Sequence, residues 1–82
     1  MNDVQRHFRT EQTAFDAIIV EQVAVPRMTQ KAVARVYAMA LCSTWPTDWA
    51  KVTDAITARW GVKGRERIRK LADRLAQELV TT

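Results

Sequence analysis

The chain has 82 residues, of which 48% are hydrophobic and 27% charged, and its formal net charge is +4. This composition is ordinary for one soluble domain over residues 1–82, and a single cysteine excludes both an intrachain disulfide and a zinc site made of several thiolates. No apolar run approaches the roughly 18–20 residues that span a bilayer, and the first ten residues lack a secretion signal. We therefore predict a cytoplasmic protein without a membrane partner. We also predict that it has no cofactor.

Apolar residues recur at helical spacing throughout the chain, which predicts an all-α fold: a compact single-domain bundle of about four helices. The first helix is predicted over about 3–24, with Asp3 as its cap. Pro26 ends it, because the residue before a proline is disfavoured in the α region. Its apolar stripe is predicted to contain Phe8, Phe15, Ile18, Ile19 and Val23.

The second helix is predicted over about 30–43, with Thr29 as its N-cap. Cys42, in the run AMALCS, is predicted to be buried and inert. A homodimer is compatible with the alanine-rich composition of this helix, because small side chains permit close approach of a second copy. The widest apolar face of the chain is predicted here, formed by Val33, Val36, Tyr37, Ala40 and Leu41.

The third helix is predicted over about 48–60, capped by Thr47. Gly61 follows it at the position where a left-handed residue commonly ends a helix. Trp45, beside Pro46 in the preceding loop, is expected to be exposed. The buried side of the helix is predicted to contain Trp49, Val52, Ile56 and Trp60, with the two tryptophans as core anchors.

The fourth helix is predicted over about 64–80, and its buried side contains Ile68, Leu71, Ala72, Leu75 and Leu79. Positive charge is concentrated around it: residues 51–75 hold eight basic and three acidic side chains, whereas residues 1–25 have a net charge of −2. This asymmetry suggests a negatively charged partner, although the acidic start of the chain is also able to pack beside the basic end.

The basic side chains of the fourth helix divide into two flanks. With Ile68 at the centre of the buried side, one flank carries four of them in a ridge about 16 Å long: Lys63, Arg67, Lys70 and Arg74. Arg65 and Arg69 lie on the opposite flank. Between the flanks, Glu66 and Asp73 are spaced to pair with Lys70 and Arg69. The ridge is either a phosphate-contacting surface or the solvated face of a helix with local ion pairs.

Two helices joined by the glycine-containing segment GVKG resemble a helix-turn-helix unit, whose second helix enters the major groove of DNA. The resemblance implies that Val62, in the turn, is a buried contact. It departs from the common pattern at Thr57, where a small apolar residue is usual.

A longer segment, DWAKVTDAITARWGVKGRERIRKLA at residues 48–72, resembles a pattern in small helical proteins encoded by phages and prophages. That resemblance implies no particular activity. It does imply a protein of a mobile element, for which DNA binding and inhibition of host proteins are both common.

Catalysis requires titratable groups that converge in a pocket, and the chain offers little for this. Its one histidine, His7, lies in a polar stretch, and metal-binding and nucleotide-binding motifs are absent from the sequence. We therefore predict that the protein is not an enzyme.

The preferred hypothesis is a small regulatory protein that binds duplex DNA, with phosphate contacts from the basic side chains of the last helix and base contacts from Arg65 and Arg69. The phosphate contacts are expected from Lys63, Arg65, Arg67, Arg69, Lys70 and Arg74. The alternative is an interaction module that docks on an acidic surface of a host protein, with Trp45 or Tyr37 as an aromatic anchor.

Overall fold

The structure, a computed structural model, describes residues 14–44 and 47–81. Three helices form nearly all of this part: α1 (Ala14–Ala24), α2 (Gln30–Cys42) and α3 (Trp49–Thr81). The all-α prediction is confirmed for these residues, which contain no strand. The prediction of four separate helices is slightly wrong, because the third and fourth are continuous in α3. Residues 3–13 of the predicted first helix lie outside the described residues.

A bend divides α3 into two halves at Gly61. This residue has φ 74° and ψ −178°, a backbone conformation that is essentially restricted to glycine. The predicted positive φ at this position is therefore confirmed. The predicted four-residue turn GVKG is wrong, since Gly61 is the only non-helical residue within α3. Val62 is 51% exposed instead of buried, because it already lies in the first turn of the second half.

Gly64 makes the bend compact. It is buried, and a β-carbon at this position would overlap Cβ of Trp60 and approach Nε2 of Gln30 to 3.3 Å. Since neither Cβ of Trp60 nor the backbone near it is free to move, only glycine permits the two halves of α3 and the start of α2 to meet here. Both glycines of the chain therefore serve this one bend.

The core lies where all three helices meet, and both halves of α3 contribute to it. Val52 and Ile56 come from the first half, and Ile68 and Ala72 from the second. Trp49 and Trp60 are partly buried and pack against this core, as predicted. The remaining buried apolar residues come from α1 and α2: Ile19, Val23, Val33, Ala34, Tyr37, Ala38 and Ala40. The small side chains of α2 are thus used for close packing within the chain.

The predicted capping residues have different outcomes. Thr29 caps α2, because its Oγ1 accepts the N–H of Ala32 at 3.1 Å, and this prediction is confirmed. Thr47 does not cap α3: Oδ1 of Asp48 accepts the N–H of Lys51 at 3.1 Å instead. Threonine and aspartate are both good N-caps, and sequence spacing does not distinguish two neighbours.

Besides that of Val62, three burial predictions are wrong. Ile18 is 41% exposed, because the buried side of α1 is narrow and follows Ile19 and Val23, one turn apart. Cys42 is exposed; it is the last residue of α2, beyond Ala40, and its thiol donates to the carbonyl of Ala76 at 3.6 Å. Leu79 is half-exposed, because the contacts of α3 with the core end at Leu75 and Ala76.

Candidate nucleic-acid interface

The second half of α3 presents one line of exposed cations. Because helical geometry resumes at Val62, directly after the bend, Lys63 lies within the helix and in register with the later basic residues. All four side chains of the predicted ridge are exposed. Their spacing of four, three and four residues gives a line about 16 Å long at 1.5 Å per residue. We call Lys63, Arg67, Lys70 and Arg74 the basic ridge.

Within the described residues, none of the four side chains of the basic ridge forms an ion pair or a side-chain hydrogen bond. Glu66 was expected to pair with Lys70, and no such pair forms in this part of the chain. The carboxylate of Glu66 does share a shallow depression of about 390 Å³ with Lys63, Arg67 and Lys70. It is therefore an acidic group beside three of the four ridge cations.

The acidic residues at the start of the chain were possible partners of the basic ridge, and the structure describes two of the four. Asp16 is bound to the backbone of Asp48. Glu21 is exposed on α1 and forms no ion pair within the described residues. Asp3 and Glu11 lie outside the described residues. The described acidic residues of α1 therefore do not neutralise the basic ridge.

Arg65 and Arg69, on the opposite flank, have partners. Nη1 of Arg65 lies 3.4 Å from Oγ1 of Thr57, across the bend. Nε of Arg69 donates to Oδ1 of Asp73 at 3.3 Å, which confirms the predicted pair, and both side chains are more than half exposed. The neighbouring Tyr37 hydroxyl and the Asp73 carboxylate raise the pKa of Arg69 above its ordinary value, so its charge is permanent.

A groove of about 250 Å³ adjoins this second flank. Tyr37 of α2, Thr53 of the first half of α3, and Arg65 and Arg69 of the second half line it. Glu66 and Lys70 also line it. We call it the Tyr37 groove. The bend at Gly61 creates it, because the bend brings the two halves of α3 to the same region of α2.

Arg59 is a basic residue that has a structural role. Its Nη1 donates to the carbonyls of Val23 and Val25, both at 2.6 Å, and its Nη2 donates to the carbonyl of Pro26 at 2.8 Å. These carbonyls lie at and beyond the end of α1, so Arg59 satisfies acceptors that the helix leaves open. Sequence spacing does not reveal this role, because the three acceptors lie more than thirty residues away.

The two aromatic anchors of the alternative hypothesis differ in position. Tyr37 is only 5% exposed, and its ring packs against Trp49 with centroids 4.8 Å apart. It therefore belongs to the core, and it also lines the Tyr37 groove. Trp45 lies outside the described residues, as does His7.

The described residues contain no group of three or more histidine, cysteine or acidic side chains arranged to hold a metal ion. In the same part of the chain, none of the helices combines the length and the apolar character that crossing a bilayer requires. On the described surface, the basic side chains of α3 are concentrated at the basic ridge and the Tyr37 groove.

No family model, no curated protein and no solved structure matches this chain.

Proposed function

We propose that the protein is a small DNA-binding regulator whose basic ridge contacts backbone phosphates of duplex DNA. The observation that supports this proposal is the line of four exposed cations without an acidic partner in the described part of the chain. Exposed lysine and arginine side chains displace condensed counterions when they meet phosphates, and the released ions drive association. In this proposal, residues 62–81 are the DNA-contacting helix of a helix-turn-helix-like unit with a one-residue turn.

The surroundings of the two flanks favour phosphate contact over base reading. The basic ridge lies roughly 100–160° from the buried side of the helix, with nothing in the described residues to hold its side chains in one orientation. Reading a base edge requires a guanidinium held in a defined plane. The guanidinium groups of Arg65 and Arg69 are held by Thr57 and Asp73. These two arginines lie on the opposite flank, beside the Tyr37 groove. We therefore expect affinity that depends strongly on salt and weakly on DNA sequence.

A fluorescence-anisotropy titration of a labelled duplex at several salt concentrations tests the proposal. If four phosphates are contacted, log K falls against log salt with a slope of about −3.6. Lys70→Gln should make this slope shallower by about 0.9, because one contact is removed. Lys51→Gln is the matched control, since Lys51 is an exposed lysine in the first turn of the same helix, before the bend. Its slope should equal that of the wild type. Salt-insensitive or absent binding would refute the proposal.

Docking on an acidic surface of a host protein is the second candidate function. The exposed apolar side chains of Met39 and Val80 favour it, because protein interfaces combine apolar contacts with cations whereas phosphate contacts do not need them. The resemblance to small phage-encoded proteins is compatible with it. A stoichiometric protein partner that survives nuclease treatment, together with no salt-dependent DNA binding, would favour this function over DNA binding.

A further inference from the structure

The Tyr37 groove contains a buried tyrosine whose hydroxyl has an unusual environment. Tyr37 is 5% exposed, and its remaining surface lines the groove. Within the described residues, its hydroxyl donates no hydrogen bond to a carbonyl or a carboxylate. Its polar neighbour is the guanidinium of Arg69, which has no acceptor atom to offer. The hydroxyl proton of Tyr37 is therefore available to an acceptor that enters the groove.

The other side chains of the groove also offer donors. Arg69 uses Nε for Asp73, which leaves the N–H groups of Nη1 and Nη2. Arg65 makes one long contact, 3.4 Å to Thr57, and retains its other N–H groups. The hydroxyl of Thr53 forms no hydrogen bond within the described residues, although the backbone carbonyl of Thr53 accepts from Thr57 at 2.8 Å. Hydroxyl and guanidinium donors thus face the same small volume from two helices.

The charge of the groove is positive. Arg65, Arg69 and Lys70 line it with one carboxylate, that of Glu66. A planar carboxylate is satisfied by a single guanidinium fork, whereas a tetrahedral phosphate accepts hydrogen bonds from several directions. Donors from two helices that line a volume of about 250 Å³ suit the tetrahedral group. A phosphate monoester carries about −1.5 to −2 charges near neutral pH, so it is attracted to the excess of cations more strongly than a singly charged anion.

We propose that the Tyr37 groove binds the terminal phosphate of a small phosphomonoester, with Tyr37, Thr53, Arg65 and Arg69 as its donors. The four donors of this site do not belong to the basic ridge, although Lys70 of the ridge also lines the groove. A phosphodiester of a DNA backbone is the other phosphate group that these donors could bind. It carries one negative charge and two ester substituents, so it matches the positive charge of the groove less well and offers fewer free oxygens to its donors.

The test is a titration of the full-length protein, followed by heteronuclear NMR, with three probes: inorganic phosphate, glycerol 3-phosphate and dimethyl phosphate. We expect saturable shifts at Tyr37, Thr53, Arg65 and Arg69 with the first two probes, and at least tenfold weaker binding of dimethyl phosphate. Tyr37→Phe keeps the ring against Trp49 and the net charge, and removes only the hydroxyl. It should weaken binding of glycerol 3-phosphate about tenfold, the effect of losing one hydrogen bond to a charged group.

Two comparisons separate this proposal from the proposed function. Tyr37→Phe should leave the affinity for duplex DNA and its salt slope unchanged, since no charge is altered. Lys63→Gln, on the basic ridge, should leave the affinity for glycerol 3-phosphate within twofold. Equal binding of glycerol 3-phosphate by the wild type and Tyr37→Phe, non-saturable shifts, or preference for dimethyl phosphate would each overturn the groove site, whether or not DNA binds.

Discussion

The carboxylate of Asp16 on α1 accepts the backbone N–H of Asp48 with both of its oxygens, at 3.0 and 3.1 Å. Asp48 is the N-cap of α3, so a buried acid of one helix lies at the positive end of another. At the other end of α1, Arg59 of α3 donates to the last carbonyls of α1. α1 is therefore attached to α3 by polar contacts at Asp16 and at its C-terminal end.

We predict that Asp16→Ala lowers the free energy of unfolding by about 1.5–3 kcal/mol. The change removes hydrogen bonds to a charged acceptor and leaves the N–H of Asp48 without its partner. Urea denaturation followed by circular dichroism measures the change. Asp54→Ala is the control, since Asp54 is exposed on α3 and should change stability by less than about 0.5 kcal/mol. Equal stability of the two variants would contradict the role assigned to Asp16.

Arg59→Ala is expected to destabilise the fold by about 2–3 kcal/mol, because three carbonyls lose a charged donor together. Arg59→Lys should recover less than half of this loss, since an ammonium group lacks the fixed fork of a guanidinium. Thermal unfolding is suitable, because about 1 kcal/mol shifts the midpoint of a domain of this size by roughly 4–8 °C. Arg67→Ala, on the exposed ridge, is the matched control. If Arg59→Lys is as stable as the wild type, only the charge of Arg59 matters.

The two glycines at the bend should respond differently to the same change. Gly61→Ala places a side chain at φ 74° and is expected to cost about 1–2 kcal/mol. No atom lies within 4 Å of the β-carbon that L-alanine would add, so the cost of Gly61→Ala comes from the backbone conformation. A D-alanine introduced at position 61 by chemical synthesis should be tolerated better, because a D-residue favours positive φ. Loss of stability with both enantiomers would show that space, and not backbone conformation, determines the glycine at 61.

Gly64→Ala is expected to be more damaging than Gly61→Ala, because its β-carbon overlaps Cβ of Trp60 and forces the bend to open. Denaturation of both variants under the same conditions compares them. Gly64→Ala should also broaden the NMR signals of the Tyr37 groove, whose two walls depend on the bend. Stability equal to that of the wild type would mean that α3 does not need this close contact.

Glu66→Gln is predicted to raise the affinity for duplex DNA by about two- to threefold at low salt. Its carboxylate shares a depression with Lys63, Arg67 and Lys70 and opposes the approach of phosphates. The gain should diminish as salt increases, because screening shortens the range of the repulsion. Glu21→Gln, an exposed glutamate on α1, gives the same change in net charge and should produce a smaller effect. Equal effects of the two variants would indicate that net charge alone controls binding.

Much of the fold was predictable from the sequence, because helix limits and caps depend on near neighbours. The bounds of α2, the cap at Thr29 and the positive φ of Gly61 follow from residues within a few positions of each other. The line of the basic ridge follows from the helical repeat alone. The repeat does not predict where a helix leaves the core, and for this reason the burial of Ile18, Cys42 and Leu79 was predicted wrongly.

The sequence by itself therefore determined that this chain forms amphipathic helices and that one helix carries four aligned cations. Only the tertiary structure decided that Asp16 and Arg59 attach α1 to α3, and that Tyr37 meets Arg65 and Arg69 in one groove. The physical reason is the distance along the chain between the partners. Helical spacing arises from local backbone hydrogen bonds, whereas contacts between remote residues depend on how the bend at Gly61 directs the second half of α3 over the core.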